Sequence, residues 1–205
     1  MTIPKNIILT YKSFENLPKD LKLNMELLIK YNPNFKLHLF DDDAIHIFVK
    51  QHYEKYYNFF NDLPRIIMKT DFFRLLAVHF YGGFYFDMDV RISKSLDNLL
   101  EANAIIFPLE WTMNNEYFKK RYNFTFNTNK HSLDQIGNYA FASTKNNNFF
   151  IDVIDNIIIN YPYNKLYISD NDVLALTGPD ILNRTYWECS SNYNFKILEG
   201  CDNMP

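Results

Sequence analysis

The sequence predicts an α/β fold in which strands alternate with helices. Three β-prone apolar runs occupy residues 3–11, 35–40 and 84–90. Segments whose apolar residues have helical spacing separate them, at 17–33, 41–53 and 65–81. This alternation is typical of a sheet covered by helices. The chain has 205 residues, 47% of them hydrophobic, which suits one domain with its own core.

The first two strands and helices are predicted from local patterns. "IPKNIILTY" (3–11) is the first strand, and the alternating run "FKLHLF" (35–40) is the second. The helix between them ends at Asn32-Pro33. The second helix begins with the three acids Asp41–Asp43, which supply an N-cap and favourable charge at the positive end of the helix dipole. Metal binding by these acids is the alternative, but capping already explains them.

The segment "RIIMKTDFFRLLAVHFY" (65–81) predicts a helix that is apolar nearly all round and therefore buried between layers. Asp71 and Arg74 interrupt it three residues apart and share one face. A surface ion pair of this spacing contributes only about 0.3–0.5 kcal/mol. In so apolar a helix, a functional role is favoured. Gly82-Gly83 then ends the helix, since glycine adopts the left-handed conformation of a C-cap.

The second half of the chain has weaker patterns. Strands are predicted at 104–110 and 138–143, and a helix at 146–162. A second helical segment, 169–187, is broken at Gly178-Pro179. The polar, aromatic-rich stretch 111–136 is interpreted as a loop or lid that carries acceptor specificity.

Composition excludes several classes of function. The 21 basic and 24 acidic residues give a net charge of −3, which does not suit a nucleic-acid partner. The sequence has no apolar stretch of about 18 residues that could span a membrane, and no signal peptide is recognisable. Cys189 and Cys201 match no zinc spacing and are interpreted as ordinary thiols. These features predict a cytoplasmic protein.

The stretch "GGFYFDMDVRI" (82–92) places two acids in an apolar run. Strand alternation predicts that Tyr85, Asp87 and Asp89 point to one face, opposite a buried apolar set of Phe84, Phe86 and Met88. Two unpaired carboxylates there would repel each other and lose solvation. A divalent cation such as Mg²⁺ or Mn²⁺ relieves both costs and commonly binds one or two carboxylates together with substrate phosphates. Ligands also usually bind at such strand ends.

Three other interpretations compete for the acid pair. An EF-hand is excluded, because Arg91, Ile92 and Asn98 occupy loop positions that need other residues. An Asp-x-Asp phosphatase of the haloacid-dehalogenase type normally opens with the motif and needs acids downstream, whereas here the acidic run is upstream. The third is structural: two solvated acids at the end of a strand.

Several segments together resemble glycosyltransferase family 32. They are "IPKNIILTYKS", "NPNFKLHLFDDDAI", "LPRIIMKTDFFRLLAVHFYGGFYFDMDV" and "ISKSLDNLL". The ordered set of a first strand, a D-x-x-R helix, Gly-Gly and Y-x-D-x-D carries the resemblance over about residues 3–100. Downstream, "GNYAFAS" and "LTGPDIL" resemble later elements of the family.

This resemblance implies a GT-A fold, with a Rossmann-like mixed sheet flanked by helices. It also implies a retaining transfer of a hexose from a UDP- or GDP-sugar to a glycan, lipid or protein acceptor, with Mn²⁺ or Mg²⁺ as cofactor. The expected organisation is one domain, 1–205. Residues 1–100 would bind the nucleotide sugar, and 101–205 would form the acceptor side.

The resemblance also implies roles for single residues. Asp89 would coordinate the metal directly, and Asp87 would hold the ribose or sugar and reach the metal partly through water. Asp71 and Arg74 would bind hydroxyls of the donor sugar.

Four further residues have implied contacts with the donor. Tyr85 would pack beside the nucleotide, Tyr11 would stack on the base with Thr10 beside it, and Asn138 would contact the sugar.

The sequence departs from the family at two places. Ile8 and Leu9 stand where members often have His-Gln. Members also usually continue to a His-containing tail that helps to close the metal site, whereas this sequence ends at Pro205. Asp202 or Asn203 could substitute. The departures keep open a degenerate relative that binds nucleotide sugars or glycans without catalysis. The lack of a membrane anchor favours a bacterial or viral enzyme.

Overall fold

The computed structural model describes residues 2–114, 133–164 and 167–199. In these ranges a seven-stranded mixed sheet has the order β2-β1-β3-β6-β4-β5, with β7 beside β4. The strands are β1 (Asn6–Thr10), β2 (Lys36–Phe40), β3 (Gly83–Phe86), β4 (Ile105–Thr112), β5 (Asp134–Ile136), β6 (Ala140–Ser143) and β7 (Phe195–Leu198). β1 is parallel to β2 and β3, and β7 is parallel to β4, while β5 and β6 are antiparallel to their neighbours. The mixed sheet flanked by helices confirms the predicted fold class.

The helices are α1 (Lys19–Tyr31), α2 (Asp42–His52), α3 (Glu54–Asp62), α4 (Ile66–Tyr81), α5 (Phe149–Asn160), α6 (Asp170–Leu176) and α7 (Pro179–Cys189), with a 3-10 helix at Asp97–Ala102. The predicted helices are confirmed, including the break at Gly178-Pro179. The sequence patterns missed α3, β5, β7 and the 3-10 helix. Each described helix is too short or too polar to cross a membrane.

The sheet separates two parts of the core because neighbouring strand residues point to opposite faces. On the face covered by α4, Ile8, Tyr85 and Phe141 join a large cluster with the helix. On the face covered by α1, Ile7 and Phe84 join a smaller one. This alternation fixes which side chains of β1 and β3 can meet α4.

Helix α4 is the buried helix that the sequence predicted. Its residues from Asp71 to Val78 are all buried. Gly82 ends it with φ 62°, and Gly83 follows with φ 97°. A Cβ on Gly83 would lie 2.4 Å from the carbonyl oxygen of Asn6. The two glycines therefore allow the close approach that places β3 beside β1.

The ends of the stretch 111–136 differ from the predicted loop. Thr112 pairs with Asp134 where β4 meets β5, so both ends belong to the sheet. The rest of that prediction, over 115–132, lies outside the described residues, as do Cys201, Asp202 and Asn203.

Candidate active site

The candidate site lies at one edge of the sheet, where β1 and β3 end and β6 begins. Thr10 is the last residue of β1, Asp87 follows β3, and Asn138 precedes β6. The backbone N–H of Asp87 donates to the carbonyl of Tyr139 at 2.8 Å, which joins the segment after β3 to the segment before β6. Carboxyl ends of parallel strands are the usual place for ligands in α/β proteins.

The two acids of the D-x-D motif lie in a turn, not in a strand. β3 ends at Phe86, and the N–H of Val90 donates to the carbonyl of Asp87 at 3.0 Å. The prediction of one continuous strand with both carboxylates on the same face is therefore wrong beyond Asp87. The turn keeps Met88 buried and leaves Asp89 exposed, so Asp89 retains its solvation. The side-chain amide of Asn24, on α1, donates to the carbonyls of Met88 and Asp89 at 3.3 and 3.4 Å.

A chain of hydroxyl groups orients Asp87. The hydroxyl of Tyr85 donates to Asp87 Oδ1 at 2.6 Å. Thr10 Oγ1 lies 3.1 Å from the same hydroxyl and, because the proton of Tyr85 is already used, acts as the donor there. Burial raises the pKa of Tyr85, so the hydroxyl stays protonated and remains a donor.

Arg74 contacts both Asp71 and Asp87. Its Nη2 lies 3.1 Å from Asp71 Oδ1 and 3.4 Å from Asp87 Oδ1. Its Nη1 donates to the carbonyl of Asn138 at 2.8 Å, and its guanidinium carbon lies 5.0 Å from the centroid of the Tyr85 ring. Nε of Arg74 is buried and has no hydrogen-bond partner among the described residues.

Asp71 is held from its other side by Thr177. Thr177 lies between α6 and α7, and its hydroxyl donates to Asp71 Oδ2 at 3.1 Å. Asp71 and Arg74 expose only 5% of their side chains. No pattern in the sequence predicted a role for Thr177. The one signal available was the helix break within "LTGPDIL".

Burial sets the ionisation of this network. It raises the pKa of Asp71 to about 6, against the opposing effects of Arg74 and the Thr177 hydroxyl. Burial also raises the pKa of Asp87, which Arg74 and Tyr85 partly offset. For Arg74, burial disfavours the charge, but Tyr85, Asp71 and Asp87 outweigh it and raise the pKa, so the guanidinium stays charged.

The predicted site residues are placed in three ways. Five meet in one network, namely Thr10, Asp71, Arg74, Tyr85 and Asp87, and the backbone carbonyl of Asn138 joins them. Asp89 lies next to it, exposed. Tyr11 is half-buried at the end of β1, with its ring centroid 6.4 Å from that of Phe14.

The position of Tyr85 corrects one prediction. Its side chain is fully buried, so it has no surface on which a nucleotide could pack. It lies beneath Asp87 because its strand position points it at the α4 face of the core. Its contacts are those of a residue that orients Asp87.

The donor set suits a hard divalent cation. Asp71, Asp87 and Asp89 give three carboxylates against the single guanidinium of Arg74, so the local charge is negative. Tyr85 and Arg74 both contact Oδ1 of Asp87, and Asp89 is exposed beside it. Within the described ranges no cluster of three or more His, Cys, Asp or Glu residues could hold a metal. A site with two carboxylates, completed by phosphate and water, fits Mg²⁺ or Mn²⁺.

Comparison with known families supports the resemblance. Residues 18–106 match the family described as "Glycosyltransferase sugar-binding region containing DXD motif". The similarity to that family covers these residues, which are fewer than half of the chain. The match gives no support to the phosphatase alternative.

Curated relatives match about half of the chain. Mannosyl phosphorylinositol ceramide synthase SUR1 of Saccharomyces cerevisiae is 31% identical over 104 residues, which are 51% of this chain and 27% of that protein. Uncharacterized glycosyltransferase L373 of Acanthamoeba polyphaga mimivirus is 31% identical over 90 residues, or 43% of this chain and 36% of that protein. The matched stretch thus spans about a quarter to a third of these relatives.

Solved structures share the fold over nearly the whole chain. The PaToxG glycosyltransferase has a TM-score of 0.61 at 19% identity and covers 91% of this chain and 70% of its own. The UDP-bound glycosyltransferase domain of the YGT toxin has a TM-score of 0.60 at 11% identity and covers 96% of this chain and 80% of its own. The GT-A type of fold is confirmed by these likenesses.

Proposed function

We propose that this chain carries the donor site of a metal-dependent, retaining glycosyltransferase. The enzyme transfers a hexose from a UDP- or GDP-sugar to a glycan, lipid or protein acceptor. The observation that carries the proposal is the contact of buried Arg74 with Asp71, with Asp87 and with the carbonyl of Asn138. A merely structural ion pair would need only Asp71 and Arg74, whereas this one extends to a carboxylate at the ligand-binding edge.

Asp89 and Asp87 are the residues that would hold Mn²⁺ or Mg²⁺, Asp89 directly and Asp87 partly through water. When bound, the metal supplies positive charge that stabilises the leaving nucleoside diphosphate. The part played by the protein is to fix Asp87 in advance. Tyr85 and Arg74 both contact its Oδ1, so the carboxylate needs little reorganisation when the donor binds.

Arg74 and Asp71 are proposed to recognise the donor sugar. A buried donor without a partner costs about 1–3 kcal/mol, and a sugar hydroxyl that reached Arg74 Nε would relieve that cost. Asp71 and the carbonyl of Asn138 hold the guanidinium in place. They keep its charge from approaching the anomeric carbon, where positive charge develops in the transition state.

Thr10, Tyr11 and Asn138 complete the proposed donor site. Tyr11 is half-buried where β1 ends and would stack on the base. Thr10 would act through Tyr85, to whose hydroxyl it donates. The side chain of Asn138 would contact the sugar while its carbonyl positions Arg74. Residues 1–100 would thus supply most of the donor site, to which Asn138 also contributes, and 101–205 would mainly form the acceptor side.

The test is donor turnover with and without Mn²⁺, in the wild type and in Asp89→Asn. We expect release of UDP or GDP from the matching sugar nucleotide, dependent on metal and lost in the variant. The variant should keep its fold because Asp89 is exposed. Full turnover in Asp89→Asn would overturn the proposal. Metal-dependent binding of a nucleotide sugar without turnover by the wild type would favour the non-catalytic relative.

A further inference from the structure

A cleft lies at the start of α4, and none of its lining residues belongs to the network described above. It has a volume of about 650 Å³ and is lined by Asp62, Arg65, Tyr161, Tyr163, Tyr167 and Asp170, among others. This volume is within the range of about 300–1,000 Å³ that is usual for ligand sites.

Aromatic side chains dominate the exposed surface of this cleft. Tyr163 and Tyr167 expose 69% and 76% of their area and are the two most exposed aromatic residues among those described. The Tyr161 ring supports Tyr163: its centroid lies 5.4 Å from that of Tyr163 and 5.3 Å from that of Phe59, which packs against the core. Clustered exposed aromatic groups of this kind mark a binding surface.

Charged groups line the same cleft. Arg65 Nη1 lies 2.7 Å from Asp170 Oδ1, and 91% of the Asp170 side chain remains exposed. A guanidinium and carboxylates held in this way can donate to and accept from the hydroxyl groups of a ligand. Together with Asp62 their charge is −1, which does not attract phosphates, and insertion into a membrane would desolvate both acids.

A saccharide chain matches this surface. The C–H faces of pyranose rings can pack on tyrosine rings, and sugar hydroxyls can pair with the carboxylates and the guanidinium of the same cleft. We infer that the cleft formed by Arg65, Tyr161, Tyr163, Tyr167 and Asp170 binds a saccharide chain. The inference rests on the proposed function, in which the bound saccharide would be the acceptor.

Two elements join the cleft to the candidate active site. Arg65 precedes Asp71 by six residues of α4, which is about 9 Å along the helix axis. Asp170 begins α6, and Thr177, just after that helix, donates to Asp71. Along α4 the cleft thus begins about 9 Å from Asp71, and we expect it to hold sugars that follow the one that receives the hexose.

The test measures saccharide binding without metal or nucleotide, so that it does not depend on the donor site. Maltohexaose, cellohexaose and α-1,6-mannohexaose are each titrated against the full chain by calorimetry and saturation-transfer NMR. We expect at least one to bind with a Kd below about 10 mM. If none of the three binds with a Kd below about 10 mM, the inference is overturned.

Variants locate the site. The double variant Tyr163→Ala/Tyr167→Ala should weaken binding at least tenfold, and the single variant Tyr167→Ala should weaken it less. Tyr31→Ala, which removes an exposed tyrosine of α1, is the matched control and should change nothing. Unchanged binding in the double variant would overturn the inference, as would loss of binding in Asp89→Asn.

The results separate this inference from the proposed function. Tyrosine-dependent saccharide binding without donor turnover would refute the transferase but retain the glycan site. Donor turnover without saccharide binding would support the transferase and refute the glycan site.

Discussion

Two acidic clusters follow the ends of the two parallel strands that flank β1, and they have different partners. Asp41 comes directly after β2, and Asp87 comes directly after β3. Asp41 accepts a hydrogen bond from the N–H of Ala44, three residues on, and caps α2. Asp87 contacts Arg74, which lies on a separate buried helix, and the hydroxyl of Tyr85. A capping acid is satisfied by local backbone, whereas the site acid is held by buried side chains.

The largest effect should come from removing the cation that joins the site acids. Arg74→Met leaves Asp71 buried without its charged partner and should lower the free energy of unfolding by about 3–5 kcal/mol. Arg65→Met is the control, because its partner Asp170 is exposed and that pair contributes at most about 1 kcal/mol. Urea unfolding measures both. Equal losses in the two variants would contradict the difference between buried and exposed pairs.

The pH dependence of stability should report Asp71. Its pKa is 3.8 before burial and about 6 in the folded protein, so between these values the folded state retains a proton that the unfolded state has lost. The free energy of unfolding should therefore fall as pH rises from about 4 to about 6, by up to about 3 kcal/mol. Thermal unfolding at several pH values, without added metal, should show this slope in the wild type and a smaller one in Asp71→Asn. Identical slopes would refute the assignment.

Tyr85→Phe separates orientation of Asp87 from packing. It deletes the hydroxyl that donates to Asp87 and should cost about 1.5–3 kcal/mol of stability, as expected for a hydrogen bond to a charged group. It should also weaken metal-dependent donor binding. Tyr53→Phe is the control, since its hydroxyl bonds to the carbonyl of Leu76 and to His79, away from the site. Equal metal dependence in the two variants would mean that Tyr85 only fills space.

The capping acid should give the smallest effect. Asp41→Ala removes the N-cap of α2 and should cost about 0.5–2 kcal/mol, with donor turnover unchanged. Urea unfolding and the turnover assay together check this expectation. Loss of turnover without loss of stability would indicate that the first cluster is also a ligand site.

Sequence patterns predicted the parts of the site that depend on local order. The apolar run of α4 and the Gly82-Gly83 pair predicted a buried helix followed directly by β3. Alternation correctly put Tyr85 and Asp87 on one face. It failed at Asp89 because it assumes that a strand continues, and the turn closed by Val90 ends it.

Other features depended on contacts between distant parts of the chain. Thr177 meets Asp71 across 106 residues, and Asn24 meets the turn at Met88 across 64 residues. No local period encodes such contacts. The helix α3 was missed because it follows α2 after a single residue, Tyr53.

The most direct test of the account is a thermal-shift panel of UDP, GDP and their hexose conjugates, each with and without Mn²⁺. A ligand at about 100 times its Kd adds roughly 2.7 kcal/mol of stability, which raises the unfolding midpoint measurably. We expect a rise that needs both Mn²⁺ and one of the two nucleotides, and that Asp89→Asn abolishes. No rise with any combination, or an equal rise in Asp89→Asn, would contradict the claim that the D-x-D turn holds a metal–diphosphate complex.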